Sequence, residues 1–247
     1  MDHFQGKTVP QHLKEARVKG AKAKAEAHGL ELSGHLAALT DSGKDSAISL
    51  LILWAFLSQT PFSHDVSFLL LAAFSLGWLL WKTGRSALLG WSRLERLHRV
   101  TEEERFEIEH HREQERAELT EIYQAKGFSG KLLTDAVDVL MADDNRLLTI
   151  MLEEELGLSL ESYEHPLKQS FGAFAGTLLS TIILLLTFYF FPGFHFGIAA
   201  LLIVGATSFF GAKLEGNQTL PACIWNMSMA LFAGLSVYFL TNLAFSL

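Results

Sequence analysis

At 247 residues, 49% hydrophobic and with 19 phenylalanines, the chain is more apolar than an ordinary soluble domain, yet 19% of its residues are charged. The formal charge of −7 comes mainly from carboxylates in the central segment, which favours a cation-attracting surface and argues against nucleic-acid binding. The single Cys223 excludes an intrachain disulfide and any multi-cysteine zinc or iron–sulfur site.

Residues 1–44 are polar, with lysines at 14, 19, 22 and 24 set among alanines, and contain no apolar core long enough for a signal peptide. This segment reads as a cytoplasmic helix, either solvated or lying on anionic lipid. Residues 45–90 hold two short apolar runs, Ala47 to Leu57 and Val66 to Trp81, separated by a turn from Gln59 to Asp65. Each becomes long enough to span only if flanking residues are included. The lysines and arginines before the first run, against none in the turn, put the amino terminus in the cytoplasm.

Residues 91–165 are the charged insert. Trp91 to Gly127 lacks proline, is dense in Glu, Arg and Leu, and predicts one or two long helices ended by Gly127. Lys131 to Leu156 predicts a further helix, with Leu132, Leu133, Ala136, Val137, Leu140, Leu147, Leu148, Met151 and Leu152 at roughly helical spacing, before Gly157 and Pro166 close the insert. Residues 166–247 then supply the cleanest spans, Phe171 to Phe191, Phe194 to Ala212 and Pro221 to Phe245. The expected fold is all-α: a multi-pass membrane protein of about five transmembrane helices, with a cytoplasmic helical insert between the second and third.

The chemistry is concentrated in the insert. Glu104 and Glu107 are three apart, as are Glu115 and Glu118, with Glu121 three further on, so each pair shares one helix face. The favourable Glu-to-Arg spacing of four occurs there only at Glu95 and Arg99, whereas Glu103/Glu107 and Glu109/Glu113 place like charges at that spacing. Repulsion left unrelieved at several steps favours a bound cation over a merely solvated face. Carboxylate oxygens suit Mg²⁺, Ca²⁺, Mn²⁺ or Fe²⁺, and a thioether such as Met151 would shift the choice toward Fe²⁺ or Mn²⁺, although its apolar neighbours also fit a core methionine. His110 and His111 are weaker candidates.

The insert resembles the vacuolar iron transporter family, on Glu104-Arg-Phe-Glu107-Ile108, Glu115-Arg-Ala-Glu118-Leu119, Tyr123-Gln-Ala-Lys126-Gly127, and Met151 followed by Glu155-Leu-Gly-Leu158. Gly211-Ala-Lys-Leu-Glu-Gly216 is similar to the family's loop between the last two helices, and Lys44-Asp45-Ser46-Ala-Ile-Ser49 to its first-helix Asn-Asp-Gly-x-x-Ser stretch. The resemblance implies Glu104, Glu107, Glu115, Glu118, Met151 and Glu155 as metal ligands and Asp45 as the membrane carboxylate of an ion path. In the second helix, Ser75-Leu-Gly-Trp-Leu-Leu-Trp81 stands against the family's Ser-Met-Ala-x-Gly-Glu-Tyr, so Leu76 and Leu80 replace its Met and Glu.

On this reading the chain is a non-enzymatic Fe²⁺/Mn²⁺ transporter moving metal out of the cytoplasm by proton exchange. It would hold no prosthetic group, bind divalent metal ions and membrane lipid but no nucleic acid, and work as a homodimer. The Leu76 and Leu80 departures motivate a second reading, a membrane-anchored metal sensor or buffer. Glu107-Ile-Glu-His110 motivates a third, a di-iron carboxylate oxidase, a class of site that needs two such motifs on different helices.

Overall fold

The structure, a computed structural model, describes residues 8–24, 34–158, 165–191 and 193–246, with side chains of the first helix described through residue 18. The described residues form helices and connecting turns without a strand: α1 Val9–Lys24, α2 His35–Leu57, α3 His64–His110, α4 Arg112–Ala125, α5 Gly130–Met141, α6 Asp144–Glu154, α7 Pro166–Phe190, α8 His195–Leu214 and α9 Thr219–Ser246. They divide into two compact units, one of Met1–Leu30 with Trp91–Tyr163, the other of Glu31–Gly90 with Glu164–Leu247. The side chains of Lys19, Lys22 and Lys24, on which the lipid-surface expectation partly rested, lie outside the described residues.

In the second unit α2 is the central helix, packed against α7, α8 and α9. Its approach to α7 is backbone to backbone. A Cβ on Gly172 would stand 2.0 Å from the His35 carbonyl oxygen, and one on Gly176 would stand 2.0 Å from that of Leu39. Only glycine fits at either position, the small-residue spacing of four by which helices approach closely in an apolar medium. Further along, Ala47, Leu50, Leu51, Leu184, Phe196 and Val204 close an apolar core, while large side chains such as Leu69, Phe171, Leu202 and Phe232 face outward.

Four helices, α3, α7, α8 and α9, are long and apolar enough to cross a membrane. α2 has the length, at 23 residues, but every window of about 18 residues within it, the length of a span, takes in Asp41, Lys44 and Asp45. The described residues thus form an all-α, multi-pass protein in which four helices are long and apolar enough to span, where about five were expected.

Two boundaries differ from those expected. Val66 to Trp81 and the first part of the insert belong to a single 47-residue helix, α3, with no glycine or proline strong enough to stop it between them. Conversely, Lys131 to Leu156 is not one helix. It breaks between Met141 and Asp144, where the Asp143 side chain accepts a hydrogen bond from the Arg146 backbone N–H at 2.8 Å. Apolar periodicity carries across the break, so the pattern hides it; a side chain that caps a new helix start ends the old one.

The first unit is held by a core that includes Leu97, Ile108, Leu119, Leu147, Met151 and Leu152. α4 stops at Ala125, and Gly127 follows at φ +96°, the left-handed conformation that ends a helix there as the sequence predicts. α1 docks on α4, burying Leu13 and Ala16.

Candidate metal centre

The arginines of α4 are committed across helices rather than along their own. Arg112 pairs with Asp144 at 2.6 Å, and Arg116 pairs with Asp138. This accounts for the poor pairing seen along the insert: the cations tie α4 to its neighbours, while the glutamates on its other side turn inward. Glu115 and Glu118, at positions three apart on α4, are both fully buried, and Glu104 on α3 is 4% exposed. Glu155, the residue that caps α6, is 2% exposed.

These carboxylates converge in two groups. Oxygens of Glu104, Glu107 and Glu115 lie within 4.8 Å of one another, and those of Glu118 and Glu155 lie equally close to a nitrogen of His12. The His12 Nε2 is 3.5 Å from Glu118 Oε1 and 3.6 Å from Glu155 Oε1. Beside them opens a cavity of about 280 Å³ lined by His12, Glu15, Ala16, Glu104, Glu107, Glu155 and Leu156.

Five acidic side chains from three helices in so small a buried volume cannot all ionise without a counter-charge. The Glu115 carboxyl is pushed up to about 10, first by its burial and then by Glu104, Glu118 and Glu107. Glu155 is pushed up to about 11, again by burial first, then by Glu104, Glu118, Glu115 and Glu107. At neutral pH, with nothing else bound, both hold a proton. A divalent cation supplies the charge that would let them ionise, and carboxylate oxygens are the donors that hard and borderline divalent ions take.

Of the residues expected as ligands, Glu104, Glu107, Glu115, Glu118 and Glu155 are thus brought together. Met151 lies one turn before Glu155, whose N–H bonds to its carbonyl at 2.9 Å; its side chain is fully buried in the apolar core of the unit. Asp45 belongs to the other unit. It pairs with Lys82 Nζ at 2.8 Å, and Lys82 is 3% exposed. α3 points Leu76 and Leu80 outward, 61% and 67% exposed, and turns Ser75 and Lys82 inward.

His110, the residue that suggested a di-iron site, donates from Nδ1 to the Phe106 carbonyl at 2.9 Å and stacks on the Phe106 ring, outside the carboxylate groups. The sequence reading missed His12 and Glu15. No local pattern marks them, because they reach the carboxylates from a helix far off in the chain.

A search of curated protein sequences finds no match to this chain. The VIT family model matches residues 91–242, more than half of the chain and including all of the converging glutamates. With a metal-ion transporter family matched over the acidic unit and the apolar helices that follow, the chain belongs to the VIT, or vacuolar iron transporter, family.

Proposed function

We propose that the protein is a divalent transition-metal transporter that carries Fe²⁺ or Mn²⁺ out of the cytoplasm in exchange for protons. The glutamate unit is the cytoplasmic capture site, and the amino terminus lies on the same side. The observation that carries this reading is the burial of Glu104, Glu115, Glu118 and Glu155 against one another, an arrangement that is costly unless a cation or protons complete it. On this reading α2 is a fifth span, Asp45 is the membrane carboxylate of the path, and a homodimer encloses that path.

The test is flux. Purified protein in liposomes loaded with a metal-sensitive dye should move Fe²⁺ and Mn²⁺, faster when an opposing proton gradient is imposed. Absence of protein-dependent flux at every gradient refutes it.

A second reading, a membrane-anchored metal sensor or buffer, is favoured by one observation: the Lys82 ammonium already stands at Asp45, where a travelling cation would have to bind. Metal binding without flux is the result that would select it.

A further inference from the structure

Beyond the glutamates, we propose that His12 is itself a metal ligand, so that α1 is a wall of the capture site and the imidazole sets its choice of ion. The inference rests on reading the carboxylate cluster as a metal site.

Three observations meet at His12. First, α1 is seated: Leu13 and Ala16 are each 7% exposed, and Ala16 joins the apolar core of the unit. His12 and Ala16 are four apart and so share a helix face, which together with Glu15 lines the cavity.

Second, the spacing suits an ion between the donors. At 3.5 and 3.6 Å, Nε2 is farther from Glu118 and Glu155 than the roughly 2.7–3.2 Å of an ordinary hydrogen bond. Both separations are close to the about 3.4 Å that two donors keep on one tetrahedral ion with bonds of roughly 2.1 Å, and the ligand atoms of His12, Glu118 and Glu155 all lie within 4.8 Å of one another.

Third, the chemistry adds something that the carboxylates lack. An all-oxygen set takes Mg²⁺ and Ca²⁺ readily, whereas one imidazole nitrogen tilts it toward first-row transition metals. A capture site facing a cytoplasm rich in Mg²⁺ needs such a bias.

The experiment uses the full-length protein in detergent, titrated with Co²⁺, Mn²⁺ and Mg²⁺ as wild type, His12→Ala and His12→Gln. Co²⁺ affinity should fall by about 10- to 100-fold in both variants, the scale on which metal sites respond to lost ligand support, while Mg²⁺ affinity moves far less. Pulsed electron paramagnetic resonance of bound Mn²⁺ should show a nitrogen coupling that disappears in both variants. Amide exchange across α1 should slow on Co²⁺ loading in the wild type only.

If Co²⁺ binds the wild type and the variants alike, with the same nitrogen coupling, His12 is not a ligand and the carboxylate site stands without it. If Co²⁺ fails to bind the wild type, the site reading falls and this inference with it.

Discussion

Because burial and neighbouring carboxylates favour the protonated forms of Glu115 and Glu155, a metal ion captured at the proposed site would have to compete with protons there. Each belongs to a different group: Glu155 faces Glu118 and His12, and Glu115 faces Glu104 and Glu107. An ion entering either group therefore displaces one carboxyl proton. With the two carboxyls at about 10 and about 11, both remain protonated throughout the range between pH 6 and 8. Apparent affinity should then rise about tenfold per pH unit for each ion, and the constant for filling both groups about 100-fold.

Calorimetric titration with Mn²⁺ in buffers of different ionisation enthalpy counts the protons directly, and about two should leave these carboxyls per fully loaded protein. Stability of the metal-free protein should run the other way. A folded-state value raised above the ordinary 4.5 gives a contribution that is complete below about pH 4.5 and is lost as pH climbs toward 10 to 11. Affinity that is flat from pH 6 to 8, with no proton release, would refute the reasoning, since the carboxyls would then already be ionised in the empty site.

Gly176→Ala should lower thermal stability, since its Cβ would meet the Leu39 carbonyl at 2.0 Å, whereas Gly197→Ala, whose nearest neighbour is at 3.5 Å, should be tolerated. The expected gap is about 1–3 kcal/mol or more, read as a shift in the melting temperature of the purified protein. Lys82→Met should destabilise by more than the about 1 kcal/mol of a surface pair and less than the about 3–5 kcal/mol of a fully buried one, because the Asp45 side chain is 39% exposed. Lys82→Met combined with Asp45→Asn should recover most of that loss; a double variant no better than Lys82→Met alone would show that the pair is not what holds the two helices. Asp143→Ala, which removes the cap that starts α6, should cost about 1 kcal/mol in unfolding experiments.

The sequence made the apolar helices legible because continuous hydrophobicity is a local property. α7, α8 and α9 fall close to the runs expected for them. Glu104, Glu107, Glu115 and Glu118 were legible for a similar reason, since spacing along one helix fixes which side chains share a face. What resisted reading depends on contacts between distant segments or on a single capping side chain. Asp143 interrupts a helix whose apolar period continues unbroken, His12 reaches Glu118 and Glu155 from α1, and Lys82 finds Asp45 across 37 residues. Nothing local in the sequence marks Lys82 as the partner of an acid 37 residues away, which is what the fold makes it.

The central position of α2 has a consequence for how the chain is made. It is the helix against which α7, α8 and α9 all pack, and it is also the one that carries Asp41, Lys44 and Asp45. If α2 is the proposed fifth span, Asp41 and Lys44 already offset each other at 3.0 Å, whereas Asp45 left alone at the middle of a bilayer would cost on the order of 2.5–3.5 kcal/mol by insertion scales. Asp45 gains its Lys82 partner only once α3 has been synthesised, and the close glycine contacts come later still, with α7. On the proposed five-span reading α2 is thus a provisional segment during biogenesis, settled in place by helices that emerge after it. Truncation after α3 should leave it accessible to water-soluble labelling reagents, and extension through α7 should protect it.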